Sequence, residues 1–386
     1  MKKIIALALA LCMVLVSAAA MADTVKIGVF EPSSGDNGAG GKQEVLGIQY
    51  ANTLKPTIEL NGTTYDVELV IVDNQSVTDK AVTAAQTLVD AGVSIVLGSY
   101  GSGVSMAAGT IFEENGTPAI GVSCTNPAVT STCETYWRIC FLDPFQGTVM
   151  ANFAKDMGAT KAYVLSMLGD DYTAGLAHYF VEAFGKDNCV EEQFTEGTSD
   201  FAAYMNNAVA NGCDVIFAPS ATTYASLIID QAAAQGITFP LLSGDTWESS
   251  VILEAAQGKN VQVYCSTFFD ENDESGPASA FVSGFKAYLN ANADAKTNNG
   301  GNDIVAAVSA LGFDAYNVAY AAIEAAGSAD PAAICEILPS VVYEDAVTGK
   351  IAFDETGDAI KDMAYIKKAN TETGAFDFVK TQSVAE

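Results

Sequence analysis

"SIVLGSYGSGVSMAAG", Ser94–Gly109, decides the fold. It opens on a short apolar run and closes on small and apolar residues of helical character. Between the two, the turn holds little more than glycine and serine. An apolar run without alternation is a strand covered on both faces, as in a parallel sheet. Such sheets bind ligands beyond the carboxyl ends of their strands. A turn stripped of side chains at that place lets the N–H groups of the helix start approach an anion, and Ser102 adds a hydroxyl.

The same unit recurs in both directions along the chain. "TVKIGVF", "YDVELVIVDN" and "PAIGVS" are expected strands, alternating with the helices "KQEVLGIQYANTL", "TDKAVTAAQTLVDAG" and "VSMAAGTIFEENG". A second series follows. Its strands are "KAYVLSM", "CVEEQF", "DVIFAPS", "PLLSGD" and "VQVYCSTFF", again with helices between them, and Ser199-Asp200 is expected to cap one of these. Two successive arrays predict an α/β protein of two doubly wound parallel-sheet lobes with right-handed crossovers. The remainder supplies three helices and only two strands, "GKIAFD" and "MAYIKKA". It is too poor in strands for a third sheet and is expected to complete the two lobes, so the chain crosses between them more than once.

The length of 386 residues also favours two lobes, and 49% hydrophobic residues are ample for their cores. Residues 1–22, "MKKIIALALALCMVLVSAAAMA", read as an export peptide cleaved before Asp23, which places the mature protein in the periplasm or outside the cell. A lipid anchor at Cys12 is the weaker reading, because "LAL" lacks the small residue expected before a lipidated cysteine. No later apolar run reaches the roughly 18 residues needed to cross a bilayer.

The formal charge is −29, and removing Lys2 and Lys3 leaves −31. Such a surface disfavours nucleic acid and anionic lipid as partners. Arg138 is the sole arginine and His178 the sole histidine, which excludes chemistry built on a histidine pair or an arginine cluster. Seven cysteines follow the leader. Cys133 is close enough in sequence to bridge either Cys124 or Cys140, and the sequence does not choose. Without a CxxC pair, no structural zinc is expected, and no cofactor.

Two neighbouring turns are candidates for holding a carboxylate. One carries Tyr100 and Ser102. The other, after "PAIGVS", carries Ser123, Cys124 and Thr125. The plainer alternative makes Ser102 a helix cap. In the second series, "LLSGDTWE" sets Asp245 at a strand's carboxyl end to receive an ammonium, with Trp247 as a pocket wall. There the alternative is an N-cap for the next helix. "GDDYTAG" offers Tyr172.

These pieces resemble the type I periplasmic solute-binding proteins of ABC transporters, in the branched-chain amino-acid (leucine/isoleucine/valine-binding) family. The resemblance rests on the G-x-x-x-S turn at Gly98–Ser102, "SCTNP" at Ser123–Pro127, "FLDPFQG" at Phe141–Gly147, "GDDYTAGLA", "TSDFAAYMNNA", "QAAAQGITFPLLSGD" and "GKIAFDETGD". It implies lobes of residues 23–142 with 268–347, and 143–267 with 348–386, joined by three crossing segments. Between them an amino acid, aliphatic or otherwise apolar, is enclosed and delivered to a membrane permease by a monomeric carrier. Ser102 and Thr125 match carboxylate-binding positions, and the Ser123 carbonyl and Asp245 match ammonium ligands. Tyr172 matches a tyrosine reaching in from the second lobe. Tyr100 and Phe313 match the side-chain pocket, and Cys124 occupies a usually small position. Gly40 and Ala221 stand where the family has aromatics, which suggests room for a larger or differently shaped side chain.

Two rivals remain. One is the same fold holding an amide, urea or an aromatic acid. The other is a hydrolase using Cys124, which needs an activating base. His178, in the middle of an expected helix, is read as a surface or packing residue, and Arg138 as structural.

Overall fold

A computed structural model describes residues 24–274 and 276–383, so the export peptide and its cleavage point lie outside the described residues. The strands of the first sheet are β1 (Thr24–Glu31), β2 (Thr57–Leu60), β3 (Thr63–Asp73), β4 (Ile95–Leu97), β5 (Ala119–Gly121) and β6 (Tyr136–Arg138). They lie in the order β2-β3-β1-β4-β5-β6. All pairings are parallel except the β2–β3 hairpin.

The second sheet is built from β7 (Ala162–Met167), β8 (Cys189–Phe194), β9 (Val215–Phe217), β10 (Leu241–Ser243) and β11 (Val263–Thr267). After a small two-stranded ribbon of β12 (Val342–Tyr343) and β13 (Ile351–Ala352), the chain adds β14 (Ala364–Asn370) and β15 (Ala375–Gln382) to that sheet. Its order is β15-β14-β11-β10-β9-β7-β8, and β14 alone runs against the others, so that its pairings with β11 and β15 are antiparallel. The short central strands β4, β5, β9 and β10 are buried at every residue, as strands covered on both faces must be.

The chain crosses between the sheets three times. After β6 it enters the helix Asp143–Asp156, which packs on Asp171–Phe184 of the second lobe; a Cβ at Gly147 would lie 2.7 Å from the Phe180 nitrogen. After β11 it returns through the helices Gly276–Ala291 and Ala307–Ala326 to the first lobe, where Phe281 and Phe313 meet Tyr50 with ring centroids 6.1 and 5.8 Å away. After β13 it goes back to β14. One apolar core runs through these crossings, from Ile27 and Leu97 by way of Ile139 and Phe141 to Phe180 and Leu242.

Several local expectations need amendment. Thr57–Leu60, Tyr136–Arg138 and Ala375–Gln382 are strands that the apolar runs did not announce. Ser199 and Asp200 precede a helix that begins only at Ala202, where Asp200 Oδ1 accepts from the Ala202 N–H at 2.9 Å. All seven described cysteines are free, so neither candidate bridge is formed.

Candidate ligand site between the lobes

The carboxyl end of β4 leads into the glycine-rich turn. Gly98 has φ +127°, and a Cβ there would fall 2.1 Å from the Phe30 carbonyl oxygen, so only glycine fits. The turn is tied to the end of β1, where Glu31 Oε2 accepts from the Tyr100 N–H at 2.8 Å. The Tyr100 ring then lies over Gly40; a Cβ at that glycine would be 2.3 Å from the ring carbons. The space that Gly40 leaves open is therefore already filled by Tyr100.

Ser102 is the first residue of the helix Ser102–Glu114 and does not cap it. Its Oγ accepts instead from the Asn126 N–H at 3.2 Å, which joins the β4 turn to the β5 turn. In the β5 turn, the Ser123 hydroxyl donates to Glu44 Oε1 in a short hydrogen bond. The Thr125 hydroxyl stands beside the Asp143 carboxyl. Cys124 is fully buried in the first-lobe core, and its thiol is pushed up to about 11 by burial, far from a nucleophile's range. Arg138 fixes the turn from behind. Its Nη1 donates to the carbonyls of Cys124 and Asn126 at 2.8 and 2.6 Å, and its Nε and Nη2 bind Asp358 Oδ1 at 2.8 and 2.6 Å.

From the second lobe, Asp245 opens a 3₁₀ turn, Asp245–Trp247, just past β10. It does not cap the next helix; Ser249 does, accepting from the Val251 N–H. Asp245 is 2% exposed, and its Oδ1 accepts from Gln146 Nε2 at 2.9 Å and from the Tyr172 hydroxyl at 3.1 Å. Tyr172 also lies 3.3 Å from the Thr246 hydroxyl.

A cavity of about 70 Å³ between the lobes is lined by Tyr100, Gly101 and Ser102 on one side and by Tyr172, Thr246 and Ala221 on the other. The lobes meet around it. The hydroxyls of Thr222 and Thr223 donate to the Asp36 carbonyl at 3.1 and 3.3 Å, and Asn126 Nδ2 donates to the Asp171 carbonyl at 2.9 Å. A larger cavity, about 300 Å³, lies at the crossing segments among Phe141, Phe268, Leu311, Ile360 and Met363, and holds none of the expected ligand-binding residues.

Tyr100, Ser102 and Tyr172 thus share one cavity, with Asp245 bonded to Tyr172 and with Ser123 and Thr125 in the turn behind Ser102. Two expected wall residues are not brought to it. Trp247 is turned into the second-lobe core, where its Nε1 donates to Ser220 Oγ at 3.2 Å. Phe313 packs instead on Phe281, at 4.8 Å between ring centroids, and on Tyr50.

The site is rich in buried acid. Burial raises Asp245 to about 6, against the lowering effect of its bonds from Gln146 and Tyr172. Burial likewise raises Glu44 to about 7 and Asp143 to about 8. Glu31 is pushed well above the usual carboxylate range by burial and by its neighbour Glu44. The nearby cations are already engaged: Arg138 by Asp358, and Lys367 by Glu248 at 2.5 Å.

Sequence reasoning missed Glu31, Glu44, Asp143 and Gln146. For Glu44 a signal existed, because it falls on the same helical face as Gly40, Gly47, Ile48 and Ala51, where a charge interrupts the apolar stripe. Asp143 and Gln146 lie inside the quoted "FLDPFQG" but were given no role.

Comparison with known proteins agrees with this fold. A family profile described as "Periplasmic binding protein" matches residues 24–373. The chain is 26% identical over 351 residues to Leu/Ile/Val-binding protein homolog 1 of Brucella suis, covering 86% of this chain and 87% of that protein. It is 29% identical to an amino acid binding protein of Pseudomonas aeruginosa, covering 92% of each. Among solved structures it resembles the leucine binding protein LivK of Thermotoga maritima, with 33% identity, a TM-score of 0.81 and coverage of 93% of this chain and 99% of that one. It also resembles LivJ of Streptococcus pneumoniae, a branched-chain amino acid transporter substrate binding protein in complex with isoleucine, with 26% identity, a TM-score of 0.80 and coverage of 92% and 99%. Two mostly parallel sheets and this likeness over nearly the whole described chain have one reading: the chain belongs to the periplasmic binding proteins, in the branched-chain amino-acid family of ABC-transporter solute-binding proteins.

Proposed function

We propose that this chain captures an amino acid outside the cytoplasm by closing two lobes around it, and delivers it to the membrane permease of an ABC transporter. The lobes in this reading are residues 23–142 with 268–347, and 143–267 with 348–386. The ligand carboxylate meets the N–H groups and hydroxyl at Ser102 and the hydroxyl of Thr125; its ammonium meets Asp245 and the Ser123 carbonyl. Tyr172 completes the second-lobe side and holds Asp245 in place. Closure follows because the ligand touches both lobes only in the closed state, and a ligand shifts an equilibrium only by binding one state better.

The observation that carries this reading is Asp245. It is a buried acid held by two donors and freed of capping duty by Ser249, and its partner Tyr172 lines the same cavity as the helix start at Ser102. The carrier acts as a monomer without cofactor or catalysis. Its residues 1–22 are an export peptide removed before Asp23.

Calorimetry on protein freed of bound solute by unfolding and refolding tests the reading. L-amino acids should bind, and their deaminated analogues should bind at least tenfold more weakly. Equal binding of the deaminated acids would favour the rival, an aromatic-acid or amide carrier on the same fold. Which amino-acid side chain is preferred is a separate matter, set by the groups around Glu44.

A further inference from the structure

We propose that the amino acid taken by this cleft carries a second cationic group on its side chain, received by the Glu31–Glu44 carboxyl pair against the Tyr100 ring. This rests on the amino-acid reading above and replaces the apolar side chain expected from the resemblance.

The argument begins with charge. In the cleft wall, Asp245 is matched by the ligand's α-ammonium. Glu31 and Glu44 lie next to one another beside Tyr100, both fully buried. No cation among the described residues pairs with either, since Arg138 is bound to Asp358 and Lys367 to Glu248. Burial without a counter-charge opposes ionisation of such a pair, and a cationic ligand supplies the counter-charge that an aliphatic one lacks.

Hydrogen bonding gives an independent indication. Among the described residues, every buried side-chain polar atom without a hydrogen-bond donor or acceptor in the chain is an oxygen. Glu31 Oε1, Glu44 Oε2, Gln146 Oε1 and Asn37 Oδ1 are among them; Asn37 lines the cavity, Glu31 holds the Tyr100 that lines it, and Gln146 holds Asp245. Apart from the hydroxyls of Thr125 and Tyr163, the unpartnered oxygens belong to carboxyl and amide groups and accept, so the complementary ligand is rich in donors.

Buried acids that serve the fold look different. Asp314 accepts from the Val347 and Thr348 N–H groups and from the Thr348 hydroxyl, at 3.0, 2.9 and 2.7 Å. Glu248 is met by Lys367, Thr267 and the Ala307 N–H. By contrast, Glu44 has only the Ser123 hydroxyl, with the Glu31 carboxyl as its neighbour.

Tyr100 supplies the third element. Its N–H is anchored to Glu31, its ring lies over Gly40 one helical turn before Glu44, and its phenol feels the charges of Asp245, Glu44 and Glu248. An aromatic face bounded by carboxylates attracts a cation through both its quadrupole and the surrounding charge.

Calorimetry at pH 7.5 on refolded, solute-free protein would compare L-2,4-diaminobutyrate, L-ornithine and L-lysine with the neutral L-leucine and L-norleucine. The best of the three cationic ligands should bind at least tenfold tighter than either neutral one; any smaller preference overturns the proposal. Tighter binding of leucine would overturn it while leaving the amino-acid reading intact. If none of the five binds, the amino-acid reading itself fails. Glu44→Gln should bring the cationic and neutral ligands to within about threefold of each other, and a preserved preference would remove Glu44 from the site. Where circular dichroism shows Glu44→Gln unfolded, the ratio in the unaltered protein decides alone.

Discussion

Glu248 of the second lobe accepts, through Oε2, a 3.1 Å hydrogen bond from the backbone N–H of Ala307, the first residue of the long helix that packs on the first lobe. The same oxygen accepts from the Thr267 hydroxyl at 2.5 Å, at the end of β11, and Oε1 binds the buried Lys367. Glu248 follows Asp245 by three residues at the end of one short turn. The turn that carries Asp245 is therefore fastened directly to a crossing segment. Glu248→Gln removes the counter-charge of Lys367, a buried ion-pair loss on the order of 3–5 kcal/mol. Urea denaturation should register that loss. Small-angle scattering should show ligand-induced compaction that is smaller than in the unaltered protein, and full compaction would mean that the Ala307 contact plays no part in closure.

Asp245→Ala should weaken amino-acid binding by at least tenfold, because a lost charge-assisted hydrogen bond is worth about 1.5–3 kcal/mol. Gln146→Ala should have a smaller effect than Asp245→Ala, because the carboxylate itself and its Tyr172 donor remain. Affinity unchanged in Asp245→Ala by calorimetry would take this residue out of the site.

Acidity gives a second handle on the same residue. With Asp245 raised to about 6, its ionised form is lost as pH falls through that value, so affinity for an ammonium should drop between pH 7 and pH 5. Binding a cation favours the ionised acid, so calorimetry in buffers of different ionisation enthalpy should detect proton release near pH 6. The ligand-free fold should respond in the opposite sense. Asp245, Glu44 and Asp143 all have raised values, about 6, 7 and 8, so the stability they contribute is complete below the unfolded carboxylate range and is lost as pH climbs through those values. Thermal unfolding without ligand should therefore occur at a higher temperature at pH 5 than at pH 8. The reverse order would show that these acids are ionised in the free protein.

The sequence made the two βα arrays legible because each central strand is a short run buried on both faces. Tyr136–Arg138 escaped notice because an arginine ends it, and that arginine is buried only by virtue of Asp358, 220 residues further on. Ala375–Gln382 alternates aromatic and polar residues at the sheet edge and is half exposed, which gives it no continuous apolar run. In the site, Ser102 and Asp245 could be found from their places at strand ends. Glu44 could not be paired with Ser123, 79 residues away, by any local pattern. Trp247 was misplaced for a geometric reason: in a 3₁₀ turn successive side chains point about 120° apart, so Asp245 and Trp247 do not face the same way.

Gly40 offers the most direct test of how the side-chain pocket is shaped. A methyl group there would stand 2.3 Å from the Tyr100 ring carbons and 2.8 Å from its hydroxyl, too close for any real contact. The ring of a buried tyrosine tied through its own N–H to Glu31 has little freedom to retreat except into the cleft. Gly40→Ala should therefore cost about 1–3 kcal/mol of stability, typical of overpacking. It should also weaken ligand binding, because the displaced ring enters the space the ligand side chain needs. Tyr100→Ala in the same background should restore the lost stability in part, since it removes the atoms that clash. If Gly40→Ala leaves both denaturation midpoint and affinity unchanged, Tyr100 does not occupy this position in solution, and the wall of the pocket lies elsewhere.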